Sequence, residues 1–124
     1  KALARAVDGI PRSGEVSREQ YSRFCDAFTE AFANSTRTGG VATASRLLAM
    51  KRPDTFLCIS KPNREGAAEA MAFTRKNLSL EDYWEQVVEV IRHSKWFNSP
   101  KPDGADGELW EARAAMLDAI FYSP

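Results

Sequence analysis

His93 is the only histidine in the chain, and Cys25 and Cys58 are its only thiols. Zinc centres and acid–base relays draw on several His and Cys ligands, or on a His beside a nucleophile, so this stock excludes most of them. Cys25 falls on a segment read as a helix and Cys58 on one read as a strand, the pattern of buried free thiols in a reducing cytoplasm rather than of a disulfide. The phosphate cradles G-x-x-x-x-G-K-[ST] and G-x-G-x-x-G are missing, as is the nucleophile elbow G-x-S-x-G. The chemistry left to consider is that of carboxylates and cations.

Pro53-Asp54 ahead of an apolar run is a possible start for a metal-dependent phosphodiester hydrolase, with Asp54 and Glu65 as Mg²⁺ ligands and Lys61 as charge stabiliser. Two positions beyond Glu65 stands Ala67, where that chemistry needs a lysine, so the constellation is incomplete. Glu81, Asp82, Glu85 and Glu89 recur at helical spacing opposite apolar residues and read as a solvated face. Asp54 is as readily a local partner for Arg52.

The cations are distributed unevenly. Residues 1–62 carry ten Lys or Arg against six Asp or Glu, and residues 63–124 carry seven against eleven, although the whole chain balances 17 against 17. Arg46, Lys51, Arg52, Lys61 and Arg64 fall in the basic stretch, a set able to meet several phosphates if gathered on one surface. The sharpest local arrangement is the order apolar run, Ser60-Lys61-Pro62, then a helix capped by Asn63 and carrying Arg64. Free backbone N–H groups at such a helix start favour an anion, and Lys61 and Arg64 would add charge-assisted contacts. Lys95, Trp96, Phe97 and Lys101 interleave basic and aromatic residues as single-strand binders do. Trp96 and Phe97 also read as anchors of a loop packed back on the core, and with Trp110 as a surface for a protein partner or a second copy.

The positioning elements follow from periodicity. Residues 1–16 show no helical or strand period and read as a lead-in arm, leaving residues 17–124 as a single globular domain. The start at Lys1 rather than Met reads as a piece of something longer. Ser17 and Gln20 make a capping box ahead of the stripe Tyr21, Phe24, Cys25, Phe28 and Phe32. A brief helix through Val41, Ala44, Leu47 and Leu48 must stop before Pro53. Thr55-Phe56-Leu57-Cys58-Ile59 reads as one short strand or extended segment. Ser79 and Asp82 open the strongest helix, with Leu80, Tyr83, Trp84, Val87, Val88 and Ile91 facing the core. A last helix from about Glu108 to Phe121 has two apolar faces. The expected fold is therefore mainly α, α+β at most, with four to five helices around one short strand. At 44% hydrophobic residues it needs no cofactor or disulfide to fold. No run approaches the ~20 apolar residues of a membrane span, so the chain is expected to be soluble and cytoplasmic.

The run Arg46-Leu47-Leu48-Ala49-Met50-Lys51-Arg52-Pro53-Asp54-Thr55-Phe56-Leu57-Cys58, then Asn63-Arg64, Tyr83-Trp84, Trp96-Phe97-Asn98-Ser99-Pro100 and residues 110–122, resembles uncharacterised bacterial proteins associated with restriction and phage-defence systems. The resemblance implies nucleic-acid-linked work and carries over no catalytic residue. Together these readings lead to a non-catalytic nucleic-acid or protein interaction module of a larger bacterial defence-type system. The hydrolase, and a small regulatory protein binding a partner through its last helix, stand as alternatives.

Overall fold

The computed structural model describes residues 2–33, 40–73 and 78–122; three further cations of the chain, Arg37, Arg75 and Lys76, lie outside them. Among the described residues the fold is all-helical, with seven helices and no strand. These are α1 (Ala2–Asp8), α2 (Arg18–Ala31), α3 (Val41–Lys51), α4 (Lys61–Met71), α5 (residues 80–92), α6 (Ala105–Glu111) and α7 (Leu117–Phe121).

The capping box at α2 forms as its residue types require. The Ser17 N–H donates to Gln20 Oε1 at 2.8 Å and the Gln20 N–H to Ser17 Oγ at 3.1 Å. Ser79 caps α5 in the same sense, accepting from the Asp82 N–H at 3.1 Å. Between Tyr83 and Glu89 the helix widens into a π turn over Trp84–Val88, and the Glu89 N–H reaches back five residues to the Trp84 carbonyl. The facing stripes of α2 and α5 supply the core. Tyr21, Phe24, Phe28, Tyr83, Trp84, Val87, Val88 and Ile91 are all buried. The Tyr21 ring lies 5.2 Å from Trp84 and 6.0 Å from Tyr83, offset contacts that add to the ~1.5–3 kcal/mol each buried large side chain contributes.

Three expectations need correction. The lead-in arm carries α1, packs it on α2 and α3, and buries Ala6, Ile10 and Val16. About two turns with a few apolar residues are too short to show a period. The expected strand at Phe56–Ile59 is an extended segment whose backbone bonds to side chains instead of a neighbouring strand. The Leu57 N–H donates to Tyr83 Oη at 3.0 Å and that hydroxyl donates to the Leu57 carbonyl at 2.6 Å. The Ile59 N–H donates to Ser45 Oγ at 2.9 Å, and Asn63 Nδ2 donates to the Cys58 carbonyl at 2.6 Å. Phe56, Leu57 and Ile59 are thereby fully buried with no sheet to belong to. The expected last helix is two helices. Between them the Ala115 N–H turns out to the Pro53 carbonyl at 2.9 Å instead of continuing the helical ladder.

Helix α7 packs on α4, and Gly66 is what admits it. A Cβ built on Gly66 would stand 2.8 Å from the Phe121 carbonyl oxygen and 3.1 Å from Phe121 Cα. Both are backbone atoms with little freedom to move. Gly66→Ala is therefore expected to lower stability by about 1–3 kcal/mol in urea unfolding, despite the ~1 kcal/mol alanine gains in a helix. A stabilised variant would show that α7 does not hold this position.

Candidate nucleic-acid interface

The six cations and cap residues singled out from sequence do not converge on one surface. Arg46 and Lys51 are both on α3, but five residues at ~100° each put them about 140° apart around its axis. Arg46 borders a shallow depression with Met50, Cys58, Ser60 and Asp118. Lys61 is exposed at the start of α4 and Arg64 is partly buried there, with its Nε enclosed and unpartnered.

Asn63 does not hold the cap position of α4, and its amide is turned to groups of the protein itself. Ser60 holds the cap position, and Asn63, fully buried, accepts from the Ser60 N–H at 2.8 Å while Nδ2 donates to Asp118 Oδ1 at 2.6 Å as well as to Cys58. With its amide fully engaged, the anion site expected at this turn loses its central residue.

Arg52 is likewise a tie rather than a ligand-facing cation. It is 5% exposed. Its Nε and Nη2 each donate to an Asp54 oxygen at 2.9 Å, Nη1 donates to the Pro11 carbonyl at 2.9 Å, and Nη2 also donates to the Gly14 carbonyl. This fork geometry is one that lysine lacks. Burial pushes the Asp54 carboxyl up, but the hydrogen bonds and charge of Arg52, joined by the field of Arg113, outweigh it and hold its pKa below the ordinary value. A Mg²⁺ ion at Asp54 would have to compete with a guanidinium that already bonds both oxygens. Among the described residues no group of three His, Cys, Asp or Glu is placed to hold a metal.

The structure instead joins the two sequence-derived sets around a residue neither contained. Arg113 lies between α6 and α7, with its guanidinium carbon 4.0 Å from the Trp110 ring centre and 4.1 Å from that of Phe97. Its Nε donates to the Phe97 carbonyl at 3.0 Å and its Nη1 to the Trp110 carbonyl at 3.3 Å. Nη2 has no hydrogen-bond partner among the described residues. Burial lowers the Arg113 pKa somewhat against the opposing pull of Asp54, which leaves it a cation at neutral pH.

Arg113 borders two clefts at once. One, of about 630 Å³, also includes Thr55, Arg92, His93 and Phe97; the other, of about 400 Å³, includes Arg12, Lys51 and Trp110. Gly14, Arg52, Asp54 and Arg113 border both, so the two clefts adjoin across these residues. Arg92 lies 4.9 Å over the Trp84 ring and donates to the Val16 carbonyl. Lys51 Nζ donates to the Val7 carbonyl at 2.9 Å. Of the four acids bordering the clefts, Asp54 pairs with Arg52, Glu111 with Lys101 and Glu15 with Arg92 at 3.5 Å, while Glu89 lies 3.9 Å from the His93 ring. Arg12, Lys51 and Arg113 are in ion-pair contact with no carboxylate among the described residues.

Of the residues singled out from sequence, Lys51, Arg52, Phe97 and Trp110 border these clefts, while Arg46, Lys61, Asn63 and Arg64 border neither. Arg92 and Arg113 escaped notice. The signal for Arg113 was present in its spacing, three residues after Trp110, which places a guanidinium within reach of an indole on one helical turn. No helix of the described chain is long and apolar enough to cross a membrane. No protein-family model, curated protein or solved structure matches the chain.

Proposed function

We propose that this chain is a non-catalytic module that binds nucleic acid along the groove centred on Arg113. The observation that carries the reading is the gathering of Arg12, Lys51 and Arg113, none in ion-pair contact with a carboxylate among the described residues, along a cleft walled by Trp110 that adjoins a second walled by Phe97. Cations spaced along a groove contact successive phosphates and release their counterions, which gives affinity with little sequence preference. Stacking between two rings fixes the Arg113 guanidinium and limits the entropy lost when its free edge meets a phosphate. The resemblance to restriction and phage-defence proteins points in the same direction.

Fluorescence anisotropy with a labelled oligonucleotide tests it. Binding is expected at low salt, weakening steeply as salt rises, with a log–log slope near the number of phosphates contacted. Arg12→Glu, a change at an exposed side chain, is expected to weaken binding by about tenfold and to flatten that slope by more than one unit. Lys61→Glu, outside the groove, is expected to leave binding within about twofold. Equal losses from the two variants, or no binding by the wild type at low salt, would remove the groove from consideration.

A further inference from the structure

We infer that the ligand of this groove is single-stranded nucleic acid, with Trp96 as the platform on which one of its bases stacks. The inference rests on the groove reading above and adds the class of strand.

Trp96 is 39% exposed, unlike Trp84 in the core and Trp110 under Arg113. An indole left this open is ordinarily a large apolar surface that folding would hide. Here its polar edge is nevertheless fixed: Nε1 donates to the Arg113 carbonyl at 2.7 Å. The turn carrying it is held at several points. Ser99 Oγ donates to the Trp96 carbonyl at 2.8 Å, the Phe97 N–H donates to Ser94 Oγ at 3.2 Å, and Asn98 Nδ2 donates to the Arg92 carbonyl at 2.7 Å. The ring is therefore exposed and already oriented, so a base that lands on it orders little that was free.

Trp96 borders neither cleft itself, but its neighbours in the chain and in space do. The next residue, Phe97, walls the larger cleft, and the carbonyl that pins the indole belongs to the residue whose guanidinium divides the two clefts. Exposed Lys95 stands beside it in the chain. In this reading the strand's phosphates meet Arg113 while one of its bases meets Trp96. Bases in a duplex have their faces buried against one another, whereas a single strand offers them to an aromatic platform.

The test compares three end-labelled probes of equal length by anisotropy: oligothymidylate, an abasic deoxyribose-phosphate oligomer with the same charge, and a blunt duplex. The wild type is expected to bind oligothymidylate about tenfold more tightly than either of the others. Trp96→Ala is expected to bring oligothymidylate down to the abasic affinity and leave abasic binding unchanged. Trp96→Phe, which keeps a ring but loses the N–H, is expected to restore most of the difference, so an unfolded alanine variant does not decide the matter. Equal wild-type affinity for thymidylate and abasic probes, or tighter binding of the duplex, would overturn the single-strand inference while leaving the groove standing. Failure of all three probes to bind overturns the groove reading itself, and this inference with it.

Discussion

Arg52→Ala is expected to destabilise the fold by about 3–5 kcal/mol, the range found when one member of a buried ion pair is removed. The guanidinium makes four hydrogen bonds at 5% exposure, two of them to Asp54 and two to backbone carbonyls of the segment joining α1 to α2. Alanine leaves the Pro11 and Gly14 carbonyls without their donor and the Asp54 carboxylate half-buried without its partner. Arg52→Lys keeps a charge but not the fork, and is expected to recover less than half of the loss. Urea unfolding measures both. The acid limb gives an independent readout. Because the folded Asp54 pKa lies below its unfolded value of about 4, the pair contributes stability above that pH and loses it as pH falls toward the folded value. The alanine variant is therefore expected to show a shallower loss of stability below about pH 4. A destabilisation under about 1 kcal/mol with an unchanged acid limb would mean the guanidinium does not hold this junction.

Tyr83→Phe is expected to lower stability by about 2–4 kcal/mol, even though it removes a single oxygen from a fully buried ring. That oxygen both accepts the Leu57 N–H and donates to the Leu57 carbonyl, so phenylalanine leaves two backbone groups in the core without partners. Neither can reach water, since Phe56, Leu57 and Ile59 are all fully buried. Alkaline unfolding supplies the second readout. Burial pushes the Tyr83 phenol far above its ordinary value, so its contribution is complete below about pH 10 and declines as pH rises through and beyond it. Tyr21 is shifted in the same direction by burial, so the variant is expected to lose part of the alkaline slope and keep the remainder. A variant within 0.5 kcal/mol of wild type, on the order of an ordinary surface change, would show that the segment finds other partners.

Residues that specify local structure were legible in the sequence. Ser17 with Gln20, Ser79 with Asp82, and Pro53 beyond α3 each act within a few positions, and the helices begin and end where they direct. The stripes of α2 and α5 identified the core because 3.6-residue periodicity survives in any tertiary setting. What was not legible depends on residues far apart in the chain. The β-rich run at Phe56 is extended, yet its backbone partners are the side chains of Ser45, Asn63 and Tyr83, which no local pattern connects to it. The break in the last helix depends on the Pro53 carbonyl, more than sixty residues before Ala115. Charge counting located a basic half of the chain but not which cations are used internally. Arg52 and Asn63 looked like ligand residues and prove to be ties, while Arg113, in the acidic half, stands at the centre of the groove.

The extended segment also bears on how this protein stays out of aggregates. Thr55-Phe56-Leu57-Cys58-Ile59 has the apolar, uncharged, β-prone character of stretches that stack into cross-β fibrils once freed. Sheet proteins guard such stretches with a neighbouring strand, and their outermost strands keep one unguarded side. Here three unrelated side chains act as gatekeepers from within the helical framework, so the native molecule offers a would-be fibril no open edge along this run. The hazard is confined to partly opened states, and substitutions at Ser45, Asn63 or Tyr83 would raise the population of those states before they altered any outward face.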